Sequence, residues 1–134
     1  VARHAGLARR FTAALPRAPW IVDLGAGTAS QFRYLAPRIG GEQHWTLIDR
    51  DPALLDAAFN TTAAWAHDLG LGISAGPSTL RIRAPRGEWR LDGELHDLAD
   101  MPGSLPLQEA DAVTCSALLD LVSQGWVHAC ARAL

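Results

Sequence analysis

Asp23, Gly25, Ala26 and Gly27 stand together just after a short apolar run, and Asp49 closes a second such run 24 residues after Gly25. Glycines at such a turn let the backbone approach a ligand closely and tolerate dihedrals that other residues avoid. The N–H groups that open the helix after the turn lack intrahelical partners and favour an anionic group. An acid at the end of the next strand is placed to accept hydrogen bonds from both hydroxyls of a ribose. Its separation from the glycines fits the ~20 residues expected of a nucleoside site.

Two ligand classes share this geometry. A nicotinamide dinucleotide needs donors and room for a pyrophosphate, hence a third small residue in G-x-G-x-x-G/A, and Ser30 stands there instead. S-adenosylmethionine has a ribose, an ammonium group and no phosphate. Asp23, two residues before the first glycine, suits an ammonium and would repel a pyrophosphate.

These residues need strands to deliver them to one end of a sheet. Trp20-Ile21-Val22 reads as a buried strand entering the glycine turn, and Trp45-Thr46-Leu47-Ile48 reads as a second strand ending at Asp49. Leu7, Phe11 and Leu15 share one helical face ahead of the first strand, with Pro16 and Pro19 after it. Phe32, Leu35, Ala36 and Ile39 define a helix that Pro37 weakens and Gly40-Gly41 stops. Asp51-Pro52 is a helix start, with a capping carboxylate followed by proline at the first helical position. Leu54, Leu55, Ala58, Phe59, Thr62 and Trp65 supply its buried stripe. Gly70 to Pro77 reads as a loop. Thr79 to Arg83 and Glu88 to Leu91 alternate with period two and read as a hairpin, followed by His96-Asp97-Leu98 at a strand end. Ala110 to Cys115 predicts another strand. Ser123 predicts the cap of a last helix with Trp126, Val127, Cys130 and Leu134 inward. Strands alternating with helices predict an α/β fold: an open, mostly parallel sheet with right-handed crossovers, helices on both faces and an inserted hairpin. The chain is expected to form a single domain over 1–134. Because the sequence stops within a helical pattern, a further strand is expected beyond it to cover the sheet edge.

The segment Asp23-Leu24-Gly25-Ala26-Gly27-Thr28-Ala29 resembles motif I of class I S-adenosylmethionine-dependent methyltransferases, an acid-x-Gly-x-Gly-x-Gly pattern in which Ala29 replaces the last glycine. Thr46-Leu47-Ile48-Asp49 resembles motif II. The resemblance implies a Rossmann-like fold, with Asp23, Gly25, Ala26, Gly27 and Asp49 around the cofactor and Asp49 on its ribose. It implies that Asp97 and Leu98, after the third core strand, contact the adenine. Ala112 to Ser116 resembles the fourth core strand, with Ser116 beside the methionine part of the cofactor and the substrate. The implied activity is methyl transfer to an acceptor, a small molecule or a protein. The resemblance spans residues 5 to 134, the first half of the family's seven-stranded fold.

Other readings stand beside these. A nicotinamide-dependent oxidoreductase and a non-catalytic nucleoside-binding module are the alternatives. Arg50 either flanks the adenosine or is a solvated surface arginine, and Asp51 reads as a helix cap. His96 reads as a surface residue of the hairpin and Cys115 as a small buried apolar residue. Ser116 and Asp120 lie just past a strand end, where a site would be, and His128 belongs to a helix packed on the sheet. Most of the tryptophans read as core.

Composition narrows the field further. The 134 residues are 49% apolar and 19% charged, the mix of a folded domain rather than a disordered chain. No apolar run approaches the ~18 residues of a membrane helix. A net charge of −2 without a basic block disfavours nucleic acid as a partner. All 12 basic residues are arginine, which we read as coding bias. Two cysteines without a secretory signal imply a reduced, cytoplasmic setting. Residues 1–22 carry Arg3, Arg9, Arg10 and Arg17 without an acid, a composition that imitates a transit peptide but reads as an amphipathic surface helix. No cluster has metal-ligand spacing, and neither a P-loop nor a nucleophile elbow is present.

Overall fold

The two predicted strands, β1 (Trp20–Leu24) and β2 (Gln43–Asp49), lie side by side and parallel, with Leu24 opposite Ile48. The computed structural model describes residues 5–97 and 109–115. Its other elements are α1 (Ala5–Ala14), α2 (Ser30–Ile39), α3 (Pro52–Asp68), β3 (Gly72–Gly76), β4 (Thr79–Ala84), β5 (Gly87–Leu95) and β6 (Ala112–Thr114). The six strands form one sheet in the order β3-β4-β5-β2-β1-β6. β6, β1, β2 and β5 run parallel, and β3 and β4 extend the sheet as antiparallel strands. The α/β class is therefore observed. No described helix is long and apolar enough to cross a membrane.

The larger buried cluster lies on one face of the sheet. Ile21, Trp45, Leu47, Leu80, Ile82, Trp89 and Leu91 cluster with Phe32, Leu35 and Ala36 of α2 and with Leu55, Ala58 and Ala66 of α3. Phe32 meets Trp45, Trp65 and Trp89 edge-on at centroid distances of 5.3, 6.1 and 5.9 Å, the arrangement favoured by ring quadrupoles. Phe11 and Leu15 pack partly buried against the same cluster. The helix cover among the described residues thus lies on this face. The predicted last helix, with Trp126, Val127, Cys130 and Leu134, falls outside the described residues.

Helix ends follow their sequence cues. Asp51 accepts the Ala53 N–H at 2.9 Å and Pro52 opens α3. α2 continues through Pro37 and stops at Gly40, whose φ of +66° suits glycine. The buried Gln43 side chain donates to the carbonyls of Ala36 and Gly40, at 2.9 and 3.2 Å, and accepts from the Trp45 indole at 2.9 Å.

Strand alternation turns Val22, Leu24 and Ile48, all fully buried, to the opposite face together with a set of polar residues. In one row His44, Arg90 and Arg81 are in register across β2, β5 and β4, and in the next Thr46, Asp92 and Thr79. Asp92 joins them: His44 Nε2 lies 2.7 Å away, Thr79 donates at 2.8 Å and the Arg90 Nε lies 3.1 Å away. Trp20 stacks on His44 and donates to Thr46 at 2.9 Å.

Three expectations are corrected. Gly70 to Pro77 is not all loop, because Gly72–Gly76 pairs along β4 as an edge strand. The hairpin is present, but its second arm is itself the strand beside β2: β5 pairs antiparallel with β4 and parallel with β2 as far as Leu95. Leu54 is 40% exposed rather than buried. On a helix it projects about 100° away from Leu55, which takes the core position.

Candidate functional site

Parallel pairing brings the carboxyl ends of β1, β2 and β5 together. The chain leaves β1 through a turn in which Gly25 and Gly27 have φ of +62° and +56°. Ala29 also has a positive φ of +65°, an uncommon conformation for a residue with a side chain, and its methyl group is fully buried. The turn lies against β2: the Ala26 N–H donates to the Ile48 carbonyl at 3.0 Å, and the Gly27 N–H donates to Asp49 Oδ2 at 3.1 Å. The other carboxylate oxygen of Asp49 accepts the Asp51 N–H at 3.1 Å. The predicted meeting of the glycine turn with the acid at 49 is therefore a direct hydrogen bond.

Each Asp49 oxygen takes one backbone donor. An ionised carboxylate has about four acceptor positions, so each oxygen keeps capacity for one more hydrogen bond. A hypothetical Cβ on Gly27 would meet nothing within 4 Å, so space is open beside the turn. The donors of the turn are largely committed: besides Ala26 and Gly27, the Ala29 N–H donates to the Ala26 carbonyl at 2.9 Å. The expectation of free N–H groups for an anion does not hold at these three positions.

Asp23 sits lower, 1% exposed, on β1. Thr114, opposite it on β6, donates to its Oδ1 at 2.9 Å. Sequence reasoning missed Thr114; its trace was a hydroxyl residue closing an otherwise apolar strand. Cys115 follows and is exposed, contrary to the expectation of a buried residue, because β6 ends at Thr114. Partial burial and the neighbouring Asp23 carboxylate push its thiol above the usual cysteine value.

Arg33 was also missed. Its guanidinium donates to the Thr28 carbonyl and lies 3.3 Å from the buried Thr62 hydroxyl of α3. It thereby ties the turn to both helices. Nothing in a single sequence marks that role, since the arginine lies outside every motif.

Arg50 is exposed at the rim beside Asp49. Asp97 is exposed just past β5, and the preceding His96 N–H donates to the Asp49 carbonyl at 3.0 Å. The His96 ring lies 3.2 Å from Glu94 Oε1 at the same end. Gly25, Ala26, Gly27, Asp49, Arg50 and Asp97 thus share one end of the sheet, with Asp23 beneath them. Leu98, Ser116, Asp120 and His128 lie outside the described residues.

No protein-family model matches the chain, and no curated protein matches it.

Proposed function

We propose that this chain is the Rossmann-like, cofactor-binding part of a class I S-adenosylmethionine-dependent methyltransferase. The observation that carries the reading is the Gly27–Asp49 hydrogen bond, which sets a side-chain-poor turn against a carboxylate with acceptor capacity left on both oxygens. Two such oxygens match the two hydroxyls of a ribose. The residues fit the cofactor in a further respect: Asp23 is a buried acid two residues before the turn, and its carboxylate form would favour a nearby cation.

The same geometry weighs against a dinucleotide. A pyrophosphate is held by free backbone N–H groups at the turn. Those of Ala26, Gly27 and Ala29 already have acceptors inside the protein.

When bound, the cofactor supplies an electrophilic methyl group on a sulfonium. Asp49 would hold the ribose, Asp97 and Leu98 the adenine, and Gly25 to Gly27 would line the approach. The work of the chain would be positioning: holding an acceptor nucleophile close to the bound group and aligned with it. A site that excluded water would favour such a transfer. The acceptor is a small molecule or a protein side chain.

Titration calorimetry of the full chain with S-adenosylmethionine tests this. We expect saturable binding in the parent protein, lost in Asp49→Ala and Gly25→Val, and no enhancement of NADH fluorescence. Absence of heat in the parent protein, or binding that survives Asp49→Ala unchanged, refutes the proposal.

A further inference from the structure

A second recess lies at the far end of the parallel strands, where α2 gives way to β2 and the β4–β5 turn packs on that connection. It is a cavity of about 270 Å³ whose walls include Pro37, Leu69, Leu71, Pro85 and Trp89, with Arg86 on its rim. Glycines shape it. A Cβ on Gly87 would lie 2.6 Å from the Glu42 nitrogen, so only glycine lets the turn sit this close to the Gly41–Glu42 backbone. The Arg86 guanidinium lies where a Cβ on Gly40 would be, so that glycine makes room for the cation. Trp89 is fixed by donation from its indole to the Gly41 carbonyl at 3.2 Å.

The charge balance at this recess is specific. Among the described residues, Arg86 has neither an ion pair nor a hydrogen bond. Neither acid of the same corner pairs with Arg86: Glu42 accepts the Glu88 N–H at 3.1 Å, and Glu88 pairs with Arg81 at 3.4 Å. Arg50 and Arg83 also lack a described partner, but neither borders this cavity. Leu69 is 55% exposed at the mouth, a large apolar side chain left facing the opening.

An apolar hollow with one guanidinium that has no partner among the described residues complements a molecule with an apolar body and one acid group. The body gains by leaving water, at roughly 25 cal/mol per Å² of apolar surface buried. A carboxylate pairs with both arms of a guanidinium, a geometry that lysine does not offer. The volume falls just under the ~300–1,000 Å³ of sites for drug-sized ligands, so the occupant is small. We propose that this cavity binds a small monocarboxylate with a medium-length alkyl or single-ring body, the acid on Arg86 and the apolar part between Leu69, Leu71 and Trp89. The proposal is independent of the reading of the carboxyl-end site.

The test uses the ¹⁵N-labelled full chain titrated with octanoate, octanol and octylamine by NMR. We expect octanoate to shift the Trp89 indole N–H and the Leu69 and Leu71 amides saturably, with octanol and octylamine weaker by about tenfold or more, the scale of one charge-assisted hydrogen bond. Arg86→Gln should weaken octanoate about as much and leave octanol unchanged, while Arg83→Gln should change neither. Arg86 is exposed, so an unaltered thermal unfolding curve should accompany its substitution. Equal binding of octanol and octanoate, or octanoate binding indifferent to Arg86→Gln, overturns the proposal. A dimer seen by light scattering and dissociated by Leu69→Ser would also overturn it, by assigning the mouth to a second copy of the chain.

Discussion

The carboxylate of Asp49 accepts the backbone N–H of Gly27 at 3.1 Å, a bond between the end of one parallel strand and the turn that leaves its neighbour. It makes Asp49 a structural brace as well as a candidate ligand contact. The two roles separate experimentally, because the brace acts on the free protein and the contact does not.

Asp49→Ala leaves the Gly27 and Asp51 N–H groups without their acceptor. Both bonds are partly buried, so the expected loss is about 1–2 kcal/mol of folding stability, read by urea unfolding. Asp49→Asn keeps one acceptor oxygen and should fall between the two. A stability unchanged in Asp49→Ala would show that the bonds contribute nothing to the fold.

Gly27 has φ of +56° and empty space where a side chain would go, so dihedral strain rather than collision opposes substitution. Gly27→Val is expected to cost about 1–2 kcal/mol, and Gly27→Asn less, since asparagine visits this region more readily. Thermal unfolding of the two variants decides it. Equal losses would mean that the dihedral is not what limits the site.

Gly93 presents the reverse case. A Cβ there would lie 2.8 Å from Cε2 of Phe59, which packs over β5 from α3. Gly93→Ala should cost about 1–3 kcal/mol through overpacking. Combining it with Phe59→Leu should recover part of that loss, and a double-mutant cycle measures the coupling. Strict additivity would show that the two positions do not meet.

Burial pushes the Asp92 carboxyl upward. The hydrogen bonds from Thr79 and His44 and the charge of Arg90 together outweigh it, and the carboxyl lies below its ordinary value. A depressed folded-state value stabilises the fold above the unfolded-state value, ~3.9, and that contribution disappears as pH falls through the folded one. Parent protein should therefore exceed Asp92→Asn in stability at neutral pH, and the gap should close in acid below about pH 4. Urea titrations across that range give the answer; a gap that widens in acid contradicts the assignment.

Much of this was legible in the residues themselves. The glycine turn, the strands at 20–24 and 43–49 and the capped start at Asp51 follow from local rules: apolar runs bounded by breakers, and a carboxylate before proline. What escaped was decided by partners distant in sequence. Gly72-Ile73-Ser74-Ala75-Gly76 has little intrinsic strand preference and is extended because β4 lies beside it. Leu54 and Leu55 are equally apolar, and only the direction of α3 against the sheet decides which is buried. The engagement of Asp23 by Thr114 depends on a pairing across 91 positions that no local pattern announces.

The double pairing of β5 has a consequence for how the molecule tolerates trimming. β5 is where the sheet changes polarity, with β2 on one flank and β4 on the other. Excising the ribbon from Gly72 to Ala84 would therefore strip a long flank of amide and carbonyl groups bare, a ready template for aggregation between molecules. That ribbon acts as the selvedge of the fabric rather than its trim.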